Sequence, residues 1–493
     1  MSVDTTAVAR VLGITTDYKD LRGGAVAFLP QRIYVMAQGN SAAVFTTTKF
    51  RATSAGAVGA IAGYGSPAHA IARQLFPDNG DGVGTVPVTF ALLEDGYEAT
   101  PATGRITPTG TQTKASTYRV VVNNVKSTPF VVLTTDTVAL ICDKIVAAVN
   151  GVLDMPVIAT DNTTYVAIVS KWAGLSANAC KIAVDGTAYG VTYTLIQPVG
   201  GLVNPTLDDA LAQIGAVWES MLLNALNISD DTALDTIQAY GEGRWGTLVR
   251  KPLICFTGNN IADVSAATAV SAARTDDRVN AQLVAPGSLN LPHVIAARQL
   301  ARIASVANNN PPTDYAGQRA DGITPGTDGE QWDYAERDLA VKAGSSTIEV
   351  SAGVVELSDT VTFYAPTGEV LPPYRWVSDI VRLQNIIFNL ALIFESQEWK
   401  AAPLIPDAQV NANPLARKPK NAKAAVCAMH DSLGLNAIIS DPAFAKANTF
   451  VTIDTQNPRR INVVTTVKLS GNTGIVDVGL NFGFYLGTPV VLG

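Results

Sequence analysis

The residues whose types could do chemistry are three histidines, four cysteines, a Gly-Tyr-Gly turn and an Asp/Asn/Gly turn. Their spacing argues against most of that chemistry. His69, His293 and His430 do not fall at the spacing two ligands of one zinc ion need. Ser66 lies three residues before His69, but no nucleophile-elbow pattern surrounds it, so no triad is assigned. Gly63-Tyr64-Gly65 leads into a helix, as a dinucleotide fingerprint would. However, Ala68 stands where its third glycine belongs, and residues 85–90 lie where its ribose-binding acid would be. Asp78-Asn79-Gly80-Asp81-Gly82 resembles the start of a calcium loop. It lacks the one-three-five oxygen ligands, and Thr89 occupies the twelfth position in place of Glu. Both segments read as turns, as does Gly326-Thr327-Asp328-Gly329. There is no Walker-type loop. No catalytic, cofactor-binding or metal residue is assigned, no cofactor is expected, and the chain does not read as an enzyme.

Cys142, Cys180, Cys255 and Cys427 form no Cys-x-x-Cys pair. Cys255 sits in an apolar run at 252–256 and reads as a buried thiol. Cys142, Cys180 and Cys427 are either free thiols or crosslinks formed once the product leaves a reducing cell, and spacing alone does not choose.

The elements that must position these residues belong to a long chain of low charge. At 493 residues it exceeds one core, so two to four domains are expected. Hydrophobic residues make up 47 % and charged residues 16 %, against roughly 25 % charged in an ordinary soluble protein. Mean hydropathy is +0.19. A surface so poor in charge is expected to meet other protein. The apolar run at 386–394 is interrupted by Asn389 and is shorter than the roughly twenty residues of a spanning helix. The start, MSVDTTAVAR, lacks the basic and apolar regions of a signal peptide, which implies synthesis and folding in a cytoplasm. A net charge of −7 argues against nucleic acid as a main partner. Arg417, Lys418, Lys420 and Lys423 are the one basic cluster, either a solvated loop or a contact with an acidic partner.

Along the chain, residues 32–37 read as a buried strand, and Pro67 opens a helix through Ile71 and Leu75. From about 89 to 199 the texture turns Thr/Val-rich. It predicts short strands at 118–122, 130–133, 165–170 and 181–184, and one helix at 137–149. From 204 to 308 helices alternate with apolar strands, as in a mostly parallel α/β sheet. There a first helix is expected from Thr206 through Ile214, Val217, Trp218 and Met221, and a second capped by Ser229. His293 reads as an ordinary surface residue at a helix start. Beyond a Pro/Gly-rich connection come a helix at 332–342, a hairpin within 347–364, an amphipathic helix at 376–399 and a further helix.

The last forty residues alternate with period two. Ile461, Val463, Thr465, Val467 and Leu469 share one face of a first strand. Val476, Val478, Leu480, Phe482, Phe484 and Leu486 share one face of a second, with Asp477 and Asn481 opposite. An apolar strand at a chain end must pair with something, since an open edge aggregates. Donation to a neighbouring subunit is the reading adopted.

The chain resembles the tail sheath proteins of contractile phages, in particular the Mu-like branch. The resemblance rests on Trp332-Asp333-Tyr334-Ala335-Glu336-Arg337-Asp338-Leu339, on Gly344-Ser345-Ser346-Thr347 with the hairpin that follows, and on Asp454-Thr455-Gln456-Asn457-Pro458-Arg459-Arg460-Ile461-Asn462-Val463. Leu29-Pro30-Gln31-Arg32-Ile33-Tyr34-Val35 and the Gly65-Ser66 helix start are similar too. The resemblance implies an α/β and α+β multidomain fold, with a C-terminal domain completed by strands exchanged between subunits and an inserted β-rich outer domain. The implied division is an N-terminal arm at 1–28 and an α/β core at 29–88 and 200–329. An inserted domain at 89–199 faces outward, a C-terminal sheath domain at 330–475 faces the tail tube, and a donated strand fills 476–493.

Hexameric rings stacked around a tube follow from the resemblance, as do tube, baseplate and terminator partners and a place in the virion tail after assembly in the host cytoplasm. Arg417, Lys418, Lys420 and Lys423 then become tube or neighbour contacts, and 13–20 and 471–474 become flexing linkers. A cytoplasmic α/β nucleotide-binding enzyme and the sheath of a pyocin-like or secretion device are the alternatives.

Overall fold

A computed structural model describes residues 27–368, 372–474, 476, 478–480 and 482. Its first strands are β1 (Ile33–Gln38), β2 (Phe50–Ala52) and β3 (Val88–Leu93), with helices α1 (Ala55–Ala62) and α2 (Pro67–Leu75) between the last two. Helix α2 starts at Pro67 because Ser66 caps it, its hydroxyl accepting from His69 N at 3.2 Å, while proline supplies a pre-set first turn.

The chain then builds two four-stranded sheets. One is formed by β4 (Pro101–Thr109), β8 (Val157–Asp161), β9 (Val166–Ala173) and β11 (Thr192–Val199). The other is formed by β5 (Ser116–Val122), β6 (Val125–Lys126), β7 (Phe130–Val132) and β10 (Ile182–Gly186). Helix α3 (Val138–Asn150), capped by Thr137, packs with them around Trp172, Tyr118, Ile141 and Ile168. Alternation of buried with half-buried or exposed positions along β9 and β5 turns one face of each to this core.

Next come α4 (Asp208–Ala212), β12 (Met221–Asn224), α5 (Asp231–Trp245), β13 (Ile254–Asn259), α6 (Val264–Ala273), β14 (Asn280–Val284) and α7 (Pro292–Asn309). They are followed by α8 (Tyr334–Lys342), whose capping box joins Asp333 and Glu336, and by β15 (Ser345–Ser346). The large sheet has the order β15-β14-β13-β12-β1-β3-β2 and is parallel except for β2. Its central strands β1, β12 and β13 are buried at every position because both faces are covered. Ile33, Val35, Leu223 and Phe256 meet α2 and α7 on one side, while Tyr34, Met36, Leu222 and Cys255 meet α4 and α5 on the other. Gly258 lets β13 approach the start of α7, since a Cβ there would lie 1.7 Å from the Pro292 carbonyl oxygen.

The remainder is the hairpin β16 (Ile348–Ser351) and β17 (Val354–Leu357), then α9 (Val377–Phe394), α10 (Pro419–Leu435), α11 (Pro442–Ala447), β18 (Thr449–Ile453) and β19 (Ile461–Thr465). Positive φ at Ala352 and Gly353 makes the two-residue turn that suits a tight hairpin. Val377, Ile380 and Val381 of α9 join the large core. Ile386 of the same helix begins a second, smaller core with Val426, Leu433 and Ile439.

Several expectations change. Helix α4 ends at Ala212, and Met221 begins a buried strand in place of a helix end. The apparent helical spacing of Ile214, Val217 and Met221 spans a turn at Gly215, where φ is 61°. Asp230 caps α5, not Ser229. His293 is buried against Trp172. Cys142, Cys180 and Cys427 are free thiols in the lone chain, and Cys142 and Cys180 are buried in the core around Trp172. By length and composition α9 would pass as a membrane span, although Asn389 seemed to forbid it, but half of it is packed inside the body.

Candidate assembly interface

β18 and β19 pair antiparallel, with Thr449 opposite Thr465, Val451 opposite Val463 and Ile453 opposite Ile461. Thr449 is buried on α11, its hydroxyl donating to the Ala445 carbonyl at 2.7 Å and lying 2.9 Å from the Thr465 hydroxyl. Two strands make a poor sheet by themselves, since three or more or a helical support are needed for stability. Here α10 supports β18, while among the described residues no further strand lies against β19.

Beside β19 runs a cleft of about 950 Å³. Ile461, Val463 and Thr465 form one wall, Leu390 and Phe394 of α9 another, and Trp399 to Leu404 the end. Phe394 and Trp399 hold each other edge to face at 5.4 Å, which fixes the apolar floor. Arg250 reaches in from the large body and pairs with Glu395 at 3.3 Å, and Arg459 stands at the β18–β19 turn. None of this was legible from the sequence, because the lining comes from three distant stretches. Only the apolar face of 461–465 signalled it.

The chain leaves β19 through Ser440 N to Lys468 O at 2.9 Å and Ser470 N to Ile438 O at 3.2 Å. Asn472 is then held by Arg382. Beyond it Val476, Val478, Leu480 and Phe482 are 71, 79, 77 and 87 % exposed. Four large apolar side chains in solvent within seven residues are a liability unless something covers them. Phe484 and Leu486 lie outside the described residues, as do 13–20.

The basic cluster begins α10. Arg417 donates to the Pro414 carbonyl at 3.0 Å and lies 3.8 Å from Glu398. Lys418 Nζ donates to the Gln409 carbonyl at 2.5 Å, while the Lys420 amide donates to Asp407 at 3.0 Å. Lys423 stands over the Phe450 ring on the outer face of β18. Arg417 and Lys418 thus brace their own loop, and the sequence did not foretell that. Lys and Arg outnumber Asp and Glu across 386–474, opposite to the chain as a whole.

The histidines serve packing. His69 accepts from Gly65 N at 3.3 Å and lies 3.8 Å from Asp154, with burial lowering its pKa. His430 Nε2 lies 3.2 Å from the Thr465 hydroxyl, and burial lowers its pKa too. Burial pushes the thiol of Cys142 up to about 11 and that of Cys180 to about 12, so neither is a reactive thiolate at neutral pH. No group of three or more metal-ligating side chains occurs among the described residues.

No family model matches the chain. It is similar to the Mu-like prophage FluMu tail sheath protein of Haemophilus influenzae, at 24 % identity over 409 residues, covering 81 % of this chain and 82 % of that protein. The resemblance to Mu-like tail sheath proteins read from the motifs is therefore shown. Among solved structures it is similar to a sheath tail protein from Desulfitobacterium hafniense, at 12 % identity and TM-score 0.47, over 93 % of this chain and all of that one. A sheath tail protein from Listeria innocua is similar at 12 % identity and TM-score 0.49, over 91 % and 94 % of the two chains.

Proposed function

We propose that the chain is the subunit of a contractile tail sheath, built as hexameric rings stacked around an inner tube in a virion tail. The observation that carries the reading is a β19 edge with no further strand against it among the described residues, a cleft over one face of that strand, and the exposed apolar side chains of Val476, Val478, Leu480 and Phe482. The tail's length of alternation matches a strand, and the cleft lacks one. Residues 476–493 of one copy add to the edge of β19 in another, main-chain hydrogen bonds giving affinity and side-chain pockets giving register. The match to a curated tail sheath protein over most of both chains supports the same reading.

In this account 1–28 is the second exchanged arm, 29–88 and 200–329 form the core, 89–199 is the outward insertion and 330–475 is the tube-facing domain. Subunits link to neighbours through both exchanged segments and stay linked while rigid bodies rotate and slide, a hinge-and-shear change. The energy is stored at assembly, so contraction needs no nucleotide. The basic surface around Lys420 and Lys423 meets the tube or a neighbour, and baseplate and terminator proteins close the polymer's ends. Subunits fold in the host cytoplasm and act in the virion.

Stopping the chain after Gly479 tests this. The shortened chain is expected to stay folded and soluble but to form no tubes. Tubes from the shortened chain at wild-type yield would refute strand donation.

A further inference from the structure

We propose that helix α9 is the common mount of both exchanged segments, so that load between neighbouring subunits passes along this one helix. The inference rests on the strand-exchange reading. Helix α9 is apolar enough to resemble a membrane span, yet Arg382, Asn385 and Asn389 are buried in it at 1, 0 and 6 % exposure. Burying such groups is costly unless each finds a partner, and leucine would pack an ordinary core helix with no such requirement.

Their partners are the two ends of the described chain. The Leu29 amide donates to Asn385 Oδ1 at 2.8 Å, and Asn389 Nδ2 donates to the Ala27 carbonyl at 3.0 Å, with Phe28 packed on the smaller core between them. Arg382 donates to Asn472 Oδ1 and, at 2.5 Å, to the Pro312 carbonyl, which also accepts from Asn472 Nδ2 at 3.2 Å. Asp379 holds the other arm of the same guanidinium. Positions 382, 385 and 389 recur at three- and four-residue spacing and share one face. From 382 to 389 is about two turns, so the two roots are gripped roughly 10 Å apart along the helix.

A neighbour pulling on the tail loads Asn472 and hence Arg382. A neighbour pulling on the leading segment loads Asn385 and Asn389. The force between the two links then runs along α9, which Val377, Ile380 and Val381 keep docked on the seven-stranded sheet, so helix and sheet reorient as one rigid body. Arg382, Asn385 and Asn389 are positioning residues in this scheme: they fix where and in what direction the exchanged segments leave.

Amide hydrogen exchange on the dissolved full-length chain, followed by tube assembly of the same samples, tests the mount. Asn385→Leu is expected to raise exchange of the Leu29 amide, and Arg382→Met that of Ser470, the last tail amide bonded to the body, each at least tenfold, with β1 and β13 as protected as in wild type. Asn385→Asp keeps the acceptor and should leave the Leu29 amide protected. Both single variants should lower tube yield, and the double variant no further than the worse single, because both cut one path. Roots that exchange as in wild type, or yields that fall by the product of independent losses, would overturn the proposal. If even the wild-type chain forms no tubes, the sheath reading fails, while the exchange data still decide whether α9 grips both ends.

Discussion

Phe482→Ala offers a quantitative hold on strand donation. In the lone chain this side chain is 87 % exposed, so it contributes almost nothing to the fold of its own subunit. In a neighbour's cleft it would be largely covered, and full burial of a phenylalanine is worth up to about 3 kcal/mol. Alanine keeps part of that, leaving a loss of about 2 kcal/mol per donated strand. Each added subunit donates one tail, so the loss enters the polymerisation constant once. At a factor of ten per 1.4 kcal/mol, the critical concentration should rise roughly 30-fold. Pelleting the polymer across a concentration series reads that value directly. The melting temperature of the dissolved chain supplies the control, since an exposed substitution should change stability by less than about 0.5 kcal/mol. An unchanged critical concentration would refute the reasoning. So would a marked fall in melting temperature, because it would place Phe482 in the subunit's own core.

Two further outcomes follow from buried charge. His293 is lowered by burial from its ordinary 6.5 to about 3, so between those values the unfolded chain binds more protons and stability falls as pH falls. At 1.36 kcal/mol per unit, the wild type should lose about 2 kcal/mol more than His293→Gln between pH 7 and pH 5 in urea denaturation, and parallel losses would contradict the burial. Asp81, in the turn that resembles a calcium loop, holds the buried Arg298 at 2.6 Å and also Arg302. Asp81→Asn should therefore destabilise by roughly 3 kcal/mol, whereas a calcium-dependent melting temperature in the wild type would restore the metal reading.

The parts of the fold legible in the sequence are those where local signals agree. Pro67 after Ser66, the apolar run at β1, the cap at Thr137 and the alternation at β19 all act within a few residues, and each element lies where it was expected. Strand β12 was misread because three apolar residues and an asparagine carry no period, and the preceding Ile214, Val217 and Trp218 mimic a helical stripe across Gly215. His293 was misplaced because a helix start often faces solvent; only the packing of Trp172 of β9 over it decides otherwise. The cleft beside β19 was invisible for a stronger reason. Arg250, Leu390, Trp399 and Ile461 meet only through the packing of α9 against two separate cores. Asn389 did register, as a break in an apolar run, but its partner Ala27 is 362 residues away and no local pattern points to it.

Negative-stain electron microscopy of the purified full-length chain over a rising concentration series, with and without tube protein, tests sheath assembly most directly. Hollow, striated tubes are the predicted result. A monodisperse monomer or small closed oligomer under every condition would contradict the sheath assignment.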